Sequence, residues 1–423
     1  MRQTHDSVST QRRAAALAPA LSLTLGEPVV IAQAAPEVTG WGPYQFPRVE
    51  RLADGTLHVA YHVHADSAVA YGLASGHAVS RDEGQSWSAV DEPCSPGGLL
   101  LPDGDRLLAD AARSLPAGTL SLPPPVASVH ASYVDYSYYR TRDLPPDLAR
   151  GWPFLRLAAG ENGWQREWAT VALAEDADVR TVTEDVLVIP FFEQDRIRVE
   201  PEGSLRTTTY LLPELGVRRK VIRPLLVRVF RSADGGHTWR EISTIPYQPD
   251  PDADPHWDAR DGFTEPELHD LPDGTLLGLL RTSDGNGVGP LYCTRSADRG
   301  ATWERPRVFD DLGVWPQLLT LASGVTLAVY GRPGLFVRAT ADPAGRQWGE
   351  RVPLLTAGAM GTDTCSYADV IALDARRALV VYSDFRYPNA QGQPCKTMLC
   401  RSIATAAERG VRARRASAQE EKR

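Results

Sequence analysis

One turn recurs along this chain at a nearly constant interval. It is built on Asp-Gly between apolar stretches: Arg51-Leu-Ala-Asp54-Gly55-Thr-Leu57, Leu100-Leu-Pro-Asp103-Gly104 and Leu271-Pro-Asp273-Gly274-Thr-Leu276. Looser copies are Leu321-Ala-Ser323-Gly324-Val-Thr-Leu327 and Leu373-Asp374-Ala-Arg-Arg-Ala-Leu379. The turn positions 54, 103, 273, 323 and 374 lie 49, 170, 50 and 51 residues apart. Asp-Gly between alternating apolar runs is a hairpin signal, because glycine accepts a positive φ without a Cβ clash. The long gap has room for one more copy plus insertions, with Thr183-Glu-Asp-Val-Leu-Val-Ile189 as the candidate, giving six units. A second repeat, Ser-x-Asp-x-Gly-x-x-Trp, is interleaved with the first. It runs Ser80 to Trp87, Ser232 to Trp239 and Ser296 to Trp303, with a faded copy from Asp342 to Trp348. Its chemistry is structural. Asp folds back onto nearby N–H groups, Gly takes the positive φ, and Trp anchors the turn to the sheet.

Composition narrows the reading. The 423 residues are 43% hydrophobic and 23% charged, ordinary globular proportions. Thirty-five Gly and 33 Pro suit a chain of many turns. No apolar run reaches the roughly 18 residues of a helical membrane span. A net charge of −8 argues against sequence-independent nucleic-acid binding, so an anionic substrate would need a local arginine cluster. The five cysteines are scattered without a CxxC pair, which points to reduced structural thiols and away from a disulfide framework or a zinc site. Arg12-Arg13 before Ala14 to Leu25, with Ala32-Gln33-Ala34 behind, has the outline of a secretory signal. Pro19 interrupts it, and Leu21 to Ile31 also reads as an alternating strand. The reading is a cytoplasmic protein, with secretion as the alternative. Residues 404–423 are charged and Ala-rich and read as a frayed helix or a disordered tail.

The Ser-x-Asp-x-Gly-x-x-Trp copies are Asp boxes, and the chain resembles the sialidase-like (neuraminidase, Asp-box repeat) six-bladed β-propellers over roughly residues 23 to 402. The resemblance implies an all-β fold: six four-stranded antiparallel blades around a central channel, with Asp-box turns on the blade rims. It also implies that the N-terminal strand, about Leu23 to Val30, completes the last blade and removes the free edges. The domains expected are a flexible 1–20, a propeller over 21–403 with an insertion near 121–180, and a tail over 404–423.

The resemblance further implies exo-hydrolysis of a terminal acidic sugar with retention, through a Tyr nucleophile in place of the usual carboxylate. No cofactor or metal is expected; the partner is a glycan or glycoconjugate. Three arginines would clamp the sugar carboxylate: Arg48 after Phe46-Pro47, Arg281 at the end of Leu277-Gly-Leu-Leu-Arg281, and Arg332 after Tyr330-Gly331. Arg51 and Arg338 are the alternatives to Arg48 and Arg332. Tyr367, in Asp363-Thr-Cys-Ser366-Tyr367-Ala-Asp369, would be the nucleophile and Glu265 its proton acceptor, since a phenol is a poor nucleophile without one. Glu267 shares Glu265's face in a regular strand and stays open. Asp66, 18 residues after Arg48, would be the acid/base. Asp363 and Asp369 are carboxylates that a different glycosidase would use. Tyr133 to Arg140 and Trp257 are aromatics that either stack on sugars or pack on themselves. Two other readings stand beside the sialidase one: a propeller glycosidase for another glycan, and a non-catalytic propeller scaffold.

Overall fold

The computed structural model describes residues 21–407 except 68–72, 96, 111–113, 132–133, 175–176, 211, 213–224, 284–288 and 360. The signal-like residues before 21, the tail beyond 407 and Tyr133 lie outside the described residues. The described chain is all-β, with short 3-10 turns and no α-helix among those residues.

The strands form antiparallel meanders that follow one another along the chain. Sheet one is Gln45–Arg51, Leu57–His62, Gly76–Ser80 and Ser88–Val90. Sheet two is Leu99–Leu100, Arg106–Ala109, Trp152–Leu157 and Gln165–Ala172. Sheet three is Arg198–Val199, Leu205–Thr209, Val227–Ser232 and Thr238–Ile245. Sheets two and three are joined by a parallel pairing of their outer strands, Thr170 opposite Thr238. Sheet four is Gly262–Asp270, Leu276–Ser283, Leu291–Ser296 and Arg307–Asp310. Sheet five is Val314–Thr320, Thr326–Gly331, Leu335–Thr340 and Val352–Leu355. Sheet six is Ala368–Ala372, Arg377–Pro388 and Pro394–Ala407, completed from the other end of the chain by Leu21–Leu25 and Val29–Gln33, which both pair with Pro394–Ala407. That last strand runs to Ala407, so the tail expected from 404 begins with strand.

Apolar faces bind successive sheets. Phe154 and Leu107 of sheet two meet Phe230 and Trp239 of sheet three. Val227 and Val229 meet Phe263 and Leu280. Leu277 and Leu279 meet Ala328 and Tyr330. Val329 and Val337 meet Val380 and Leu399. Val381 and Met398 then meet Leu57 and Val59 of sheet one. Each fully buried Leu, Val or Phe is worth about 1.5–3 kcal/mol, which makes these interfaces the main apolar source of stability.

The three full Ser-x-Asp copies make one turn three times. Ser80, Ser232 and Ser296 end third strands, and the fourth strands follow. In each, the Asp Oδ1 accepts the Ser hydroxyl and an N–H four residues on, at 2.7–2.9 Å. The Oδ2 accepts the hydroxyl of Ser86, Thr238 or Thr302. Gly236 has φ +97, and a Cβ there would lie 2.6 Å from a Leu107 methyl. Trp239, 1% exposed, closes the turn by donating to Gly236 O at 3.0 Å.

One expected repeat is misplaced. Val179–Thr183 and Val186–Val188 are a hairpin, but they belong to a separate five-stranded sheet with Ser114–Pro116, Ala127–Ala131 and Val134–Arg140. Sheet three turns instead at Glu200-Pro-Glu-Gly203, where Gly203 N–H donates to Glu200 O at 2.8 Å. That turn lacks the Asp-Gly pair, whereas Glu184 and Asp185 imitate it by taking positive φ themselves. The insertion expected near 121–180 is therefore two excursions, one inside sheet two and one between sheets two and three.

Candidate active site

In sheets one, four and five, the first strand begins and the second ends at one end of the sheet, opposite the turn between third and fourth strands. There the first strand carries a bulge. Phe46-Pro47, Glu265-Pro266 and Trp315-Pro316 each set two residues against one partner, Tyr61, Leu280 or Tyr330. The residue before each proline has positive φ: 53° at Phe46, 41° at Glu265 and 47° at Trp315. Ser366, just before Tyr367, has φ 61°. Such bulges re-aim side chains, and they hold backbone strain where surrounding structure over-determines it.

The bulges bring Glu265 and Tyr367 together. Tyr367 Oη donates to Glu265 Oε1, and Arg281 Nη1 donates to the same oxygen. Arg281 Nη1 is also 3.2 Å from Tyr367 Oη. Glu265 Oε2 accepts from Trp315 N–H at 3.1 Å. Thr264 pairs with Arg281, so the strand ends lie together as expected. Trp315 stacks on Tyr367 at 4.9 Å and Phe46 meets it edge-on at 4.8 Å. Burial, reinforced by the Glu265 carboxylate, pushes the Tyr367 hydroxyl well above the ordinary phenol range. Burial works against a charged Arg281, but Glu265 and Tyr367 beside it outweigh that and raise it.

Glu267 does not share this role. The bulge breaks the alternation that would put it on Glu265's face. It accepts instead from Arg196 Nη1, and from Arg198 Nη2 at 3.2 Å. Arg196 lies over Trp315, 4.3 Å from the ring centroid, and donates to Pro316 O at 3.3 Å.

A cavity of about 510 Å³ opens beside Tyr367. Its wall includes Phe46, Trp315, Phe191, Arg48, His62, His64, Asp66, Glu193 and Asp195. Asp66 is exposed and accepts from Trp41 Nε1 at 3.0 Å. Glu193 is largely buried. Burial, and then Asp195 beside it, push it up to about 8 against the pull of Arg196. Tyr210 Oη donates to Glu193 Oε1 at 3.5 Å. Burial opposes ionisation of Asp195, but Arg48, Arg196 and Arg198 outweigh it and hold Asp195 low. Burial pushes His62 down.

The three arginines of the expected clamp lie near Tyr367, each with a protein partner. Arg48, its side chain 44% exposed, donates to Asp195 Oδ2 at 2.6 Å. Arg281 serves Glu265 and Tyr367. Arg332 Nη2 donates to Cys365 O at 2.6 Å, with its guanidinium 5.5 Å from the Tyr367 ring centroid. The alternatives sit elsewhere: Arg51 donates to Gly55 O and Ala372 O, and Arg338 lies over Phe309. Asp363 is structural, accepting from Gly334, Gly358 and Thr364 N–H. Asp369 accepts from Val49 and Val370 N–H and ties sheet six to sheet one. Tyr136, Tyr138 and Tyr139 pack within the five-stranded sheet, and Trp257 is 40% exposed away from the cavity wall.

Sequence reasoning missed Glu193, Asp195, Arg196, Phe46 and Trp315. For Phe46 and Trp315 the signal was there: X-Pro opens the first strand at 46–47, 265–266 and 315–316.

No family model matches the chain, and no curated protein matches it by sequence. Similar solved structures include an α-L-arabinanase from Penicillium chrysogenum, at 12% identity and TM-score 0.48, covering 89% of this chain and 98% of that one. A Hadza microbial sialidase is similar at 12% identity and TM-score 0.45, covering 86% of this chain and 65% of that one. The NanB sialidase of Streptococcus pneumoniae is similar at 12% identity and TM-score 0.45, covering 89% and 70%.

Proposed function

We propose that the sheets are the blades of a six-bladed Asp-box propeller over residues 21–407, and that the chain is a retaining glycoside hydrolase of sialidase type with Tyr367 as nucleophile. The observation that carries this is the Tyr367–Glu265–Arg281 cluster, which meets the cavity through Tyr367 and is drawn from residues up to 102 positions apart. A phenol this far above its ordinary range is neutral at working pH. It attacks only as its proton leaves, and Glu265 Oε1 is hydrogen-bonded to receive it. In the first step Tyr367 Oη bonds to the anomeric carbon and its proton passes to Glu265. The bond from that carbon to the leaving oxygen breaks, and that oxygen takes a proton from an acid on the wall. In the second step the same acid, now a base, deprotonates water, which attacks the anomeric carbon. Tyr367 leaves and recovers its proton from Glu265. Two displacements retain configuration.

The proton donor has two candidates. Asp66 is the one the resemblance implies. Glu193 is favoured by its environment, because a donor must hold its proton at working pH and Glu193 is pushed up to about 8. Arg281 acts here as a positioning residue for Glu265. NMR of the first-formed sugar tests the reading: retained anomeric configuration is expected, and inversion overturns a Tyr nucleophile.

A further inference from the structure

We infer that Arg196 is a positioning residue for both halves of this site: its plane holds Trp315 against Tyr367 and Glu265, and its charge stands beside Glu193. This deepens the hydrolase reading and rests on it. Trp315 touches both members of the nucleophile pair. Its ring stacks on Tyr367 at 4.9 Å, and its N–H donates to Glu265 Oε2 at 3.1 Å. Trp315 is also the bulged residue before Pro316, at φ 47°. Backbone in that region persists only where its surroundings hold it. Arg196, itself buried, supplies part of that hold. Its guanidinium lies 4.3 Å from the Trp315 ring centroid, and Nη2 donates to Pro316 O at 3.3 Å. Nη1 donates to Glu267, whose buried carboxylate balances the cation and fixes the rotation of its plane. Arg48 is a looser neighbour of the same ring, at 5.3 Å and with its side chain 44% exposed.

The remaining nitrogen faces the other half. Arg196 Nε is 3.9 Å from Glu193 Oε2 and 4.0 Å from Asp195 Oδ2, too far for hydrogen bonds, and it has no hydrogen-bond partner among the described residues. Toward Glu193 the guanidinium therefore acts by charge. It opposes the rise that burial, Asp195 and Glu265 impose; Arg48 pulls the same way, and Tyr210 Oη donates to Glu193 Oε1. The cavity wall does not include Arg196 among the described residues, so it acts on a bound sugar through Trp315, Tyr367 and Glu193. Plane and charge separate in variants, because lysine keeps the charge and loses the flat fork.

The test uses the full chain with carbon-13 at the glutamate side-chain carboxyls, titrated by NMR. The Glu193 signal is the one missing from Glu193→Gln. Arg196→Met should raise its midpoint by about one pH unit, and Arg196→Lys should leave it within about 0.3 unit. Glu267→Gln leaves the Arg196 charge unbalanced and should lower it. The signal comes from folded molecules, so the midpoints do not depend on the fraction folded, and Glu267→Gln decides alone should Arg196→Met not fold. A midpoint that fails to rise in Arg196→Met, or to fall in Glu267→Gln, overturns the inference. On a 4-methylumbelliferyl glycoside that the wild type turns over, Arg196→Lys should lower kcat per folded molecule about 10-fold, with KM within about twofold. An unchanged kcat, or a loss carried by KM, overturns the inference and leaves the hydrolase reading intact. If the wild type turns over no glycoside above the Tyr367→Phe background, the hydrolase reading falls and the positioning role falls with it.

Discussion

Carboxylates stand at both ends of these sheets, and the two ends use them in opposite ways. At the Ser-x-Asp turns, Asp82 and Asp298 are saturated by local donors. Hydrogen bonds from the Ser86 and Thr302 hydroxyls, then from the same residues' N–H groups, push each down to about 2. At the bulged end, Glu193 is pushed up to about 8 by burial and by Asp195. Tyr367 is raised by burial and by Glu265. A carboxylate ringed by N–H and O–H donors gives up its proton early and holds a turn. One moved out of water beside another charge keeps its proton into the pH range where chemistry runs. The chain places the first kind at 3-to-4 strand turns and the second in the irregular stretch before sheet three.

Variants can break this contrast, beginning with the largest effect. Tyr367→Phe removes one hydroxyl and should lower kcat/KM by about 10³-fold or more with little change in Tm. A variant within a few-fold of wild type would move the chemistry away from Tyr367. Glu193→Gln should cost about 100-fold on glycosides with poor leaving groups and far less on activated ones, while Asp66→Asn costs less. The pH profile sharpens the point. Glu193 donates only while protonated, so activity should fall as pH rises through about 8, and that limb should vanish in Glu193→Gln. Between the ordinary carboxylate range and about 8 the folded state binds the extra proton, so Glu193 subtracts stability as pH rises there. An alkaline limb that survives in Glu193→Gln and vanishes in Asp66→Asn would reverse the two assignments.

At the other end, Asp234→Ala removes three hydrogen bonds and should cost about 2 kcal/mol of stability, with kcat/KM within about twofold of wild type. Loss of activity at unchanged stability would contradict the division between the two ends. The Asp82 and Asp298 carboxylates are lowered, so their stabilising effect is full above the ordinary carboxylate range and fades as pH falls toward about 2. Acid unfolding should therefore begin at higher pH in an Asp298→Asn variant.

The turn end was the legible one. Its hydrogen bonds close within about four residues, so sequence spacing alone encodes them, and Asp82, Asp234 and Asp298 sit in equivalent turns. The hairpin at Thr183 shows the limit: Glu184 and Asp185 turn without glycine, and the neighbouring Glu200 turn lacks the expected pair. The bulged end was half legible. Glu265, Arg281 and Tyr367 stood out through the family resemblance, and antiparallel pairing accounts for the meeting of the Glu265 and Arg281 strand ends. The separation of Glu265 from Glu267 depends on a bulge, which simple alternation conceals. Glu193 and Asp195 were hidden because they come from an irregular stretch before sheet three, and their character is set by burial among residues far along the chain.

The central claim is that Tyr367 forms the bond to the sugar. A turned-over glycoside, remade with fluorine on the carbon next to the anomeric carbon and with an activated leaving group, should slow breakdown of the intermediate enough for it to accumulate. Peptide mapping by mass spectrometry should then place one glycosyl adduct on Tyr367, and none should form in Tyr367→Phe. An adduct on Glu265 or Glu193, in either protein, would contradict the account.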